Sequence, residues 1–259
     1  MVDGAVFAQA LAAGFAAGFL DSIVGGGGLI LTPAMLNLFP GTPILHLIAT
    51  QRTSSLLGTA VAAWAYLRVI RVPRKVLAAA AGAALCASIL GATLAQQLDP
   101  AILKWTILVL CVLLALYTFL APSFGEREQL RFPLARLAMP AALVGLATGF
   151  YNGLIGPGTG TLMVFGFVAA LGFDFLKASA TAKVSNVAAD LSSWTVLMLA
   201  GFVMWPVVLP LVLGNVAGSW LGSRLAILKG SRFIRGVFLA VVVALIGRVL
   251  WDLWRHGPS

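Results

Sequence analysis

"SATAKVSNVAAD", residues 179–190, carries Lys183, Asn186 and Asp190 inside an otherwise apolar stretch, and "IATQRTSSLLGT", residues 48–59, carries Arg52, Ser55 and Thr59 at the same spacings. Positions i, i+3 and i+7 fall on one narrow stripe of a helix with 3.6 residues per turn. A polar stripe headed by a cation therefore occurs twice. The recurrence extends well beyond these segments, because at an offset of 131 residues the chain aligns with itself without gaps from 14 to 95. Glycines coincide at 14/145, 18/149, 25/156, 27/158, 41/172 and 91/222, and Arg52 falls opposite Lys183. The chain is an internal duplication.

The composition identifies the solvent. Of 259 residues 61% are hydrophobic and 10% charged, and the mean hydropathy is +1.02, far from the roughly 25% charged residues of a soluble domain. Apolar runs at 76–97, 101–121, 137–155, 206–228 and 232–254 each reach the roughly 20 helical residues that cross a bilayer core. The expected fold is an all-α integral membrane protein. The net charge of +9 does not point to nucleic acid, since the cations cluster at the ends of apolar runs, where they orient the chain. Cys86 and Cys111 fall within apolar runs without metal-ligand spacing and are read as packing residues. The N-terminus lacks a positive n-region, so a cleaved signal peptide is not expected.

Charge also orients the two halves. Arg68, Arg71, Arg74 and Lys75 surround one loop whose counterpart, "LAGFVMWP", has no cation. The next pair reverses: "QQLDPAI" at 96–102 has only Asp99, whereas its counterpart holds Lys229, Arg232 and Arg235. Equivalent loops then lie on opposite sides of the membrane, which requires an odd number of crossings per half. Two inverted-topology repeats of about five helical elements are expected, over 1–122 and 137–259, joined by a cytoplasmic linker at 123–136. First-half elements are placed at 5–23, 28–39, 44–70, 76–97 and 101–121. The second is too short to cross comfortably and reads as a half helix.

"DSIVGGGGLILTP" (21–33) and "NGLIGPGTGTLM" (152–163) are equivalent by the repeat, and each opens on a polar residue, Asp21 or Asn152. Glycine there permits backbone that a helix forbids. Such backbone at membrane depth is buried in protein or lines a watery cavity, and discontinuous helices at matching places in inverted halves point to a transport site. Close helix packing through small residues is the structural alternative. Gly27, Gly28, Gly158 and Thr159 are candidates to offer backbone N–H groups.

A cation near the bilayer centre costs about 2.5–3.5 kcal/mol even on the lenient scale, so one in each half needs a partner or a function. Lys183 could snorkel, or pair with Asp190 along its own helix. The repeat favours a third reading, in which Arg52 and Lys183 converge on one anion from opposite sides, with Thr50, Thr181, Ser54, Ser185 and Asn186 as neutral donors. Asp21 and Asp190 are the acids placed at depth and the candidates to carry a coupling proton. Asp174 is read as a helix cap and Trp205, Trp251 and Trp254 as interfacial anchors. His46 has no assignment. No metal cluster, cofactor motif or nucleophile with a neighbouring base is found, so an enzyme is not expected.

The segments "GFLDSIVGGGGLILTPAML", "ATQRTSSLLGTAVAAWAYLR", "GFYNGLIGPGTG", "ATAKVSNVAADLSSWTVLMLAGFV" and "GSWLGSRLAILKGSRFIR" resemble the sulfite exporter TauE/SafE (TSUP) family over nearly the whole chain. The family's first-half motif commonly reads T-N-K, and this chain has Gln51 and Arg52 after Thr50. The arginine keeps the charge, and its planar fork suits an oxyanion. The second-half T-x-K-x-x-N is intact in Thr181, Lys183 and Asn186. The resemblance implies movement of sulfite, thiosulfate, sulfonates or related organosulfur anions across the bacterial cytoplasmic membrane. The expected partners are a small anion, a coupling proton or sodium ion, and the lipid bilayer; Gln51 joins Arg52 in the candidate site. A passive anion channel is the alternative.

Overall fold

In the computed structural model, which describes residues 3–97 and 125–256, every extended element is helical. The first half supplies α1 (Gly4–Val24), α2 (Gly27–Leu38), α3 (Ile44–Val69) and α4 (Arg74–Ala95). After a 3-10 turn at Leu134–Arg136, the second half supplies α5 (Ala138–Leu154), α6 (Thr159–Leu171), α7 (Phe175–Leu199) and α8 (Trp205–His256), the last broken at Gly230. The expected fifth element at 101–121, with Cys111, lies outside the described residues. So do the side chains of Trp251 and Trp254.

Four described segments are long and apolar enough to cross a membrane: Gly4–Val24, Arg74–Ala95, Leu134–Leu154 and Trp205–Val241. With α3 and α7, which are long but carry the polar stripes, they make a multi-pass membrane protein. The expected short second element is α2, of 12 residues, and its counterpart α6 has 13. At 1.5 Å per residue each is roughly 18–20 Å long, well short of a bilayer core.

α1 lies along the first part of α8, and α4 lies along α5. Both contacts run over glycine. Gly14 and Gly18 of α1 meet the backbone at Leu211 and Asn215, while Gly145 and Gly149 of α5 meet Ala80 and Ala84. No hydrophobic effect drives helices together in lipid, so such small-residue seams, which let backbones approach, supply the van der Waals energy instead. Gly149→Val should therefore lower the melting midpoint of the detergent-solubilised protein by about 5 °C or more, from roughly 2 kcal/mol of overpacking. Gly82, on α4, faces open space, and Gly82→Val should leave the midpoint nearly unchanged.

α3 and α7 run antiparallel through the middle. The start of α3, at Ile44 and Ile48, packs with Leu197, Phe202 and Val203 at the end of α7. Its other end, with Tyr66 and Ile70, shares a core cluster with Phe175 and Ala178 at the start of α7. That second cluster also contains Val72, Val76, Leu137, Phe173 and Ile234, so it gathers the cation-bearing loops at one end of the bundle. Residues 125–136 dock there rather than hang free. Gln129 and Arg131 donate backbone N–H groups to Gly172 (2.7 Å) and Leu171 (3.1 Å), Glu128 pairs with Lys177 at 2.6 Å and Glu126 with Arg235 at 2.8 Å.

Asp174 caps α7 as expected, accepting from the Lys177 N–H at 2.7 Å. Trp205 opens α8 on the exposed surface. Cys86 departs from expectation: it is exposed on α4 instead of packed inside. Lipid accepts apolar side chains as readily as a core does, so an apolar run does not reveal which face is buried.

Candidate functional site

The two helix breaks meet in the middle of the molecule. α1 ends at Gly25, whose positive φ of 85° is left-handed backbone, and α2 begins two residues later. In the second half Gly156 (φ 89°) and Gly158 (φ 85°) turn the chain from α5 into α6. Gly25 packs against the backbone of Gly160 and Thr161, and Gly28 against Pro157. Side chains at these contacts would push the breaks apart. Two hydroxyls pin them: Tyr66 donates to the Ser22 carbonyl and Tyr151 to the Pro157 carbonyl, both at 3.0 Å. The N-termini of α2 and α6, with their positive dipole ends, are thereby brought to one place.

The cations come from α3 and α7 and reach across between the halves. Lys183 donates to the main-chain carbonyl of Asp21 and to its carboxylate, Nζ to Oδ2 being 3.0 Å. Arg52 donates through Nη2 to the carbonyl of Asn152, and to that of Gly153 at 3.4 Å. Positions 21 and 152 are equivalent in the repeat, as are 52 and 183, so each cation neutralises the negative C-terminal end of the opposite half's first helix. The two are not equally satisfied. Lys183, 1% exposed, is ion-paired; Arg52, 4% exposed, has buried Nε and Nη1 atoms with no hydrogen-bond partner.

A cavity of about 30 Å³ lies beside Arg52, room for about two waters at roughly 10–15 Å³ each. Of the residues expected at the site, Arg52, Gln51, Asn186, Gly27, Gly28, Gly158, Thr159, Asp21 and Asp190 line it. Lys183, Thr50, Thr181, Ser54 and Ser185 do not. The four hydroxyls donate to carbonyls of their own helices, those of His46, Lys177, Gln51 and Thr181, as serine and threonine commonly do inside helices. The ion pair of Lys183 is with Asp21, not with Asp190 on its own helix. Ser55, Asn152 and Asn215 complete the polar lining. Asn215 was missed; its signal is a lone amide within an apolar run.

The acids also differ. Asp21 accepts from Lys183, from the Gly27 N–H (3.3 Å) and from the Thr59 hydroxyl (3.1 Å). Asp190 accepts from the amides of Asn152 (2.9 Å) and Asn186 (3.2 Å). Positions 21 and 59 correspond to 152 and 190, so the acid–neutral pair Asp21–Thr59 is mirrored, with the acid at the other position, by Asn152–Asp190. Among the described residues no three His, Cys, Asp or Glu side chains gather to hold a metal ion.

A multi-pass helical bundle with a charged, polar cavity at facing helix breaks has the build of a membrane transporter. The comparisons agree. The profile of the sulfite exporter TauE/SafE family matches residues 10–249. A probable membrane transporter protein, ORF9, of Sinorhizobium is 38% identical over 93% of this chain and 90% of its own length. A probable membrane transporter protein of Haemophilus influenzae is 32% identical over 94% of both chains, and the probable membrane transporter protein YfcA of Escherichia coli K12 is 31% identical over 94% of this chain and 88% of its own. No solved structure matches the chain. The chain belongs to the TauE/SafE family of membrane transporters.

Proposed function

We propose that this protein is a secondary transporter that moves a sulfur-containing oxyanion, such as sulfite or a sulfonate, across the bacterial cytoplasmic membrane by alternating access between two inverted halves. The observation that carries the reading is Arg52. A buried guanidinium with two nitrogens unpaired is costly in a low-dielectric interior, and this one faces a cavity framed by two helix N-termini. An oxyanion supplies acceptors to both kinds of donor. In this reading Arg52 contacts the anion, while Lys183 braces the break between α1 and α2.

The inverted arrangement is supported by three observations. Helix starts coincide at the 131-residue offset, Ile44 with Phe175 and Arg74 with Trp205; the glycine seams exchange partners between halves; and the equivalent helices α3 and α7 are antiparallel. The end that gathers Arg71, Arg74, Lys75, Arg131, Lys177, Lys229, Arg232 and Arg235 is assigned to the cytoplasm. The family name supports sulfur oxyanions as the substrate class.

The test is uptake of labelled sulfite and of labelled methanesulfonate into proteoliposomes with and without an imposed pH gradient. Saturable uptake stimulated by the gradient is expected. Flux indifferent to the gradient and unsaturable would make the protein a passive anion channel, and no flux of either compound would overturn the substrate class.

A further inference from the structure

We propose that Asp190 carries one proton with each anion, so that the transported pair is a monoanion and a proton, and that Asp21 takes no part in this exchange. The proposal rests on the reading above, in which Arg52 holds the anion. It begins from the charges at the centre of the bundle. Arg52, Lys183, Asp21 and Asp190 are exposed by 4, 1, 6 and 4%, and with all four ionised their sum is zero. A monoanion entering the cavity leaves one uncompensated negative charge in a poorly solvated place, a state that buried sites avoid. One of the two acids must then be neutralised.

The geometry separates them. Asp21 is held by a direct ion pair with Lys183, by the Gly27 N–H and by the Thr59 hydroxyl, all of which favour the carboxylate. Asp190 makes no ion pair among the described residues and is held by two neutral amides. The charged groups facing it are Arg52 from α3 and the Asp21–Lys183 pair from α1 and α7. α4 and α5 bring the neutral Ser88 and Asn152, and α6 and α8 bring Thr159 and Asn215 to the cavity wall. When an anion takes Arg52, Asp190 loses its one unpaired cationic neighbour while gaining a negative one. A proton on its carboxylate restores neutrality.

The surroundings hold the carboxylate and can rearrange around the acid. The Asn152 carbonyl oxygen Oδ1 is 3.2 Å from the hydroxyls of Ser88 and of Ser193, each of which also lies within hydrogen-bond distance of the Ala189 carbonyl. A hydroxyl that donates to Ala189 can accept from Asn152. Turning the amide to present C=O to the Asp190 carboxylic acid breaks only its 3.3 Å bond to Asn186 Oδ1 besides the bond to the carboxylate.

The experiment uses methanesulfonate, which stays a monoanion across the working pH range, in proteoliposomes with a pH-sensitive dye inside. For the native protein an inward acid gradient of one pH unit should concentrate the anion about tenfold, and anion entry should acidify the lumen. Asp190→Asn should still exchange labelled for unlabelled methanesulfonate, with no accumulation beyond the potential-driven level and no acidification. The double variant Lys183→Met/Asp21→Asn, which removes the ion pair and leaves the sum of charges at zero, should keep the proton signal. Acidification persisting in Asp190→Asn would overturn the proposal, as would loss of exchange in that variant at a native melting midpoint. Native transport of the anion without protons would overturn it while leaving the anion site standing. Failure of the native protein to move either methanesulfonate or sulfite would instead overturn the substrate reading on which it rests.

Discussion

Lys183→Met is expected to cost about 3–5 kcal/mol of stability, the usual effect of removing one member of a buried ion pair. The lysine stem is matched by methionine, so little packing is lost. What remains is the Asp21 carboxylate, 6% exposed, with the Gly27 N–H and the Thr59 hydroxyl as its donors among the described residues, and the Asp21 main-chain carbonyl without its cation. At about 2–4 °C per kcal/mol for chains near this size, the melting midpoint in detergent should fall by about 10 °C. Asp21→Asn in the same chain removes the stranded charge, and the double variant should regain at least half of the loss, a coupling that marks contact rather than two independent defects. A fall of under about 3 °C, or a double variant no better than Lys183→Met, would show that the pair does not hold the α1–α2 break.

Why the sequence pointed to this region yet misassigned part of it follows from what periodicity can and cannot encode. The stripes Arg52–Ser55–Thr59 and Lys183–Asn186–Asp190 were legible because one helical face must point one way, and all but Thr59 and Lys183 line the cavity, while these two hold Asp21. The breaks were legible because Gly25 and Gly156 take positive φ, a demand written directly in residue type. The targets of the cations were not. Both bind main-chain carbonyls of Asp21 and Asn152, and every residue has a carbonyl, so no pattern marks these two. Lys183 seemed able to pair along its helix with Asp190, but the partner comes from the other half, 162 residues away. Hydroxyls near the cations seemed to be donors to an anion, but helix carbonyls four residues back were nearer for three of them. Repetition also predicts likeness, whereas the site depends on a difference: the acid stands at the first-helix position in one half and on the third helix in the other. That difference leaves Lys183 paired and Arg52 open.

The open arginine sets the largest effect on transport. Arg52→Ala removes the two unpaired nitrogens of a charged donor, each worth about 1.5–3 kcal/mol once it meets an acceptor. Together they correspond to a loss of roughly 10²–10⁴ in apparent affinity, so labelled sulfite uptake at fixed low concentration should vanish. Arg52→Lys separates charge from geometry. The lysine keeps the positive charge, but its single nitrogen cannot both hold the Asn152 carbonyl, as Nη2 does, and meet the anion without sharing donors between them. Its half-saturation concentration should rise about tenfold, the equivalent of one weakened charged hydrogen bond at roughly 1.4 kcal/mol, with maximal rate largely kept. A purely bracing role would give the opposite ordering: both variants would lower the melting midpoint, and the half-saturation concentration of Arg52→Lys would stay native. The split between half-saturation and melting midpoint therefore decides whether Arg52 holds the anion or only the helix, and Arg52→Ala transporting within tenfold of the native protein would place the anion elsewhere.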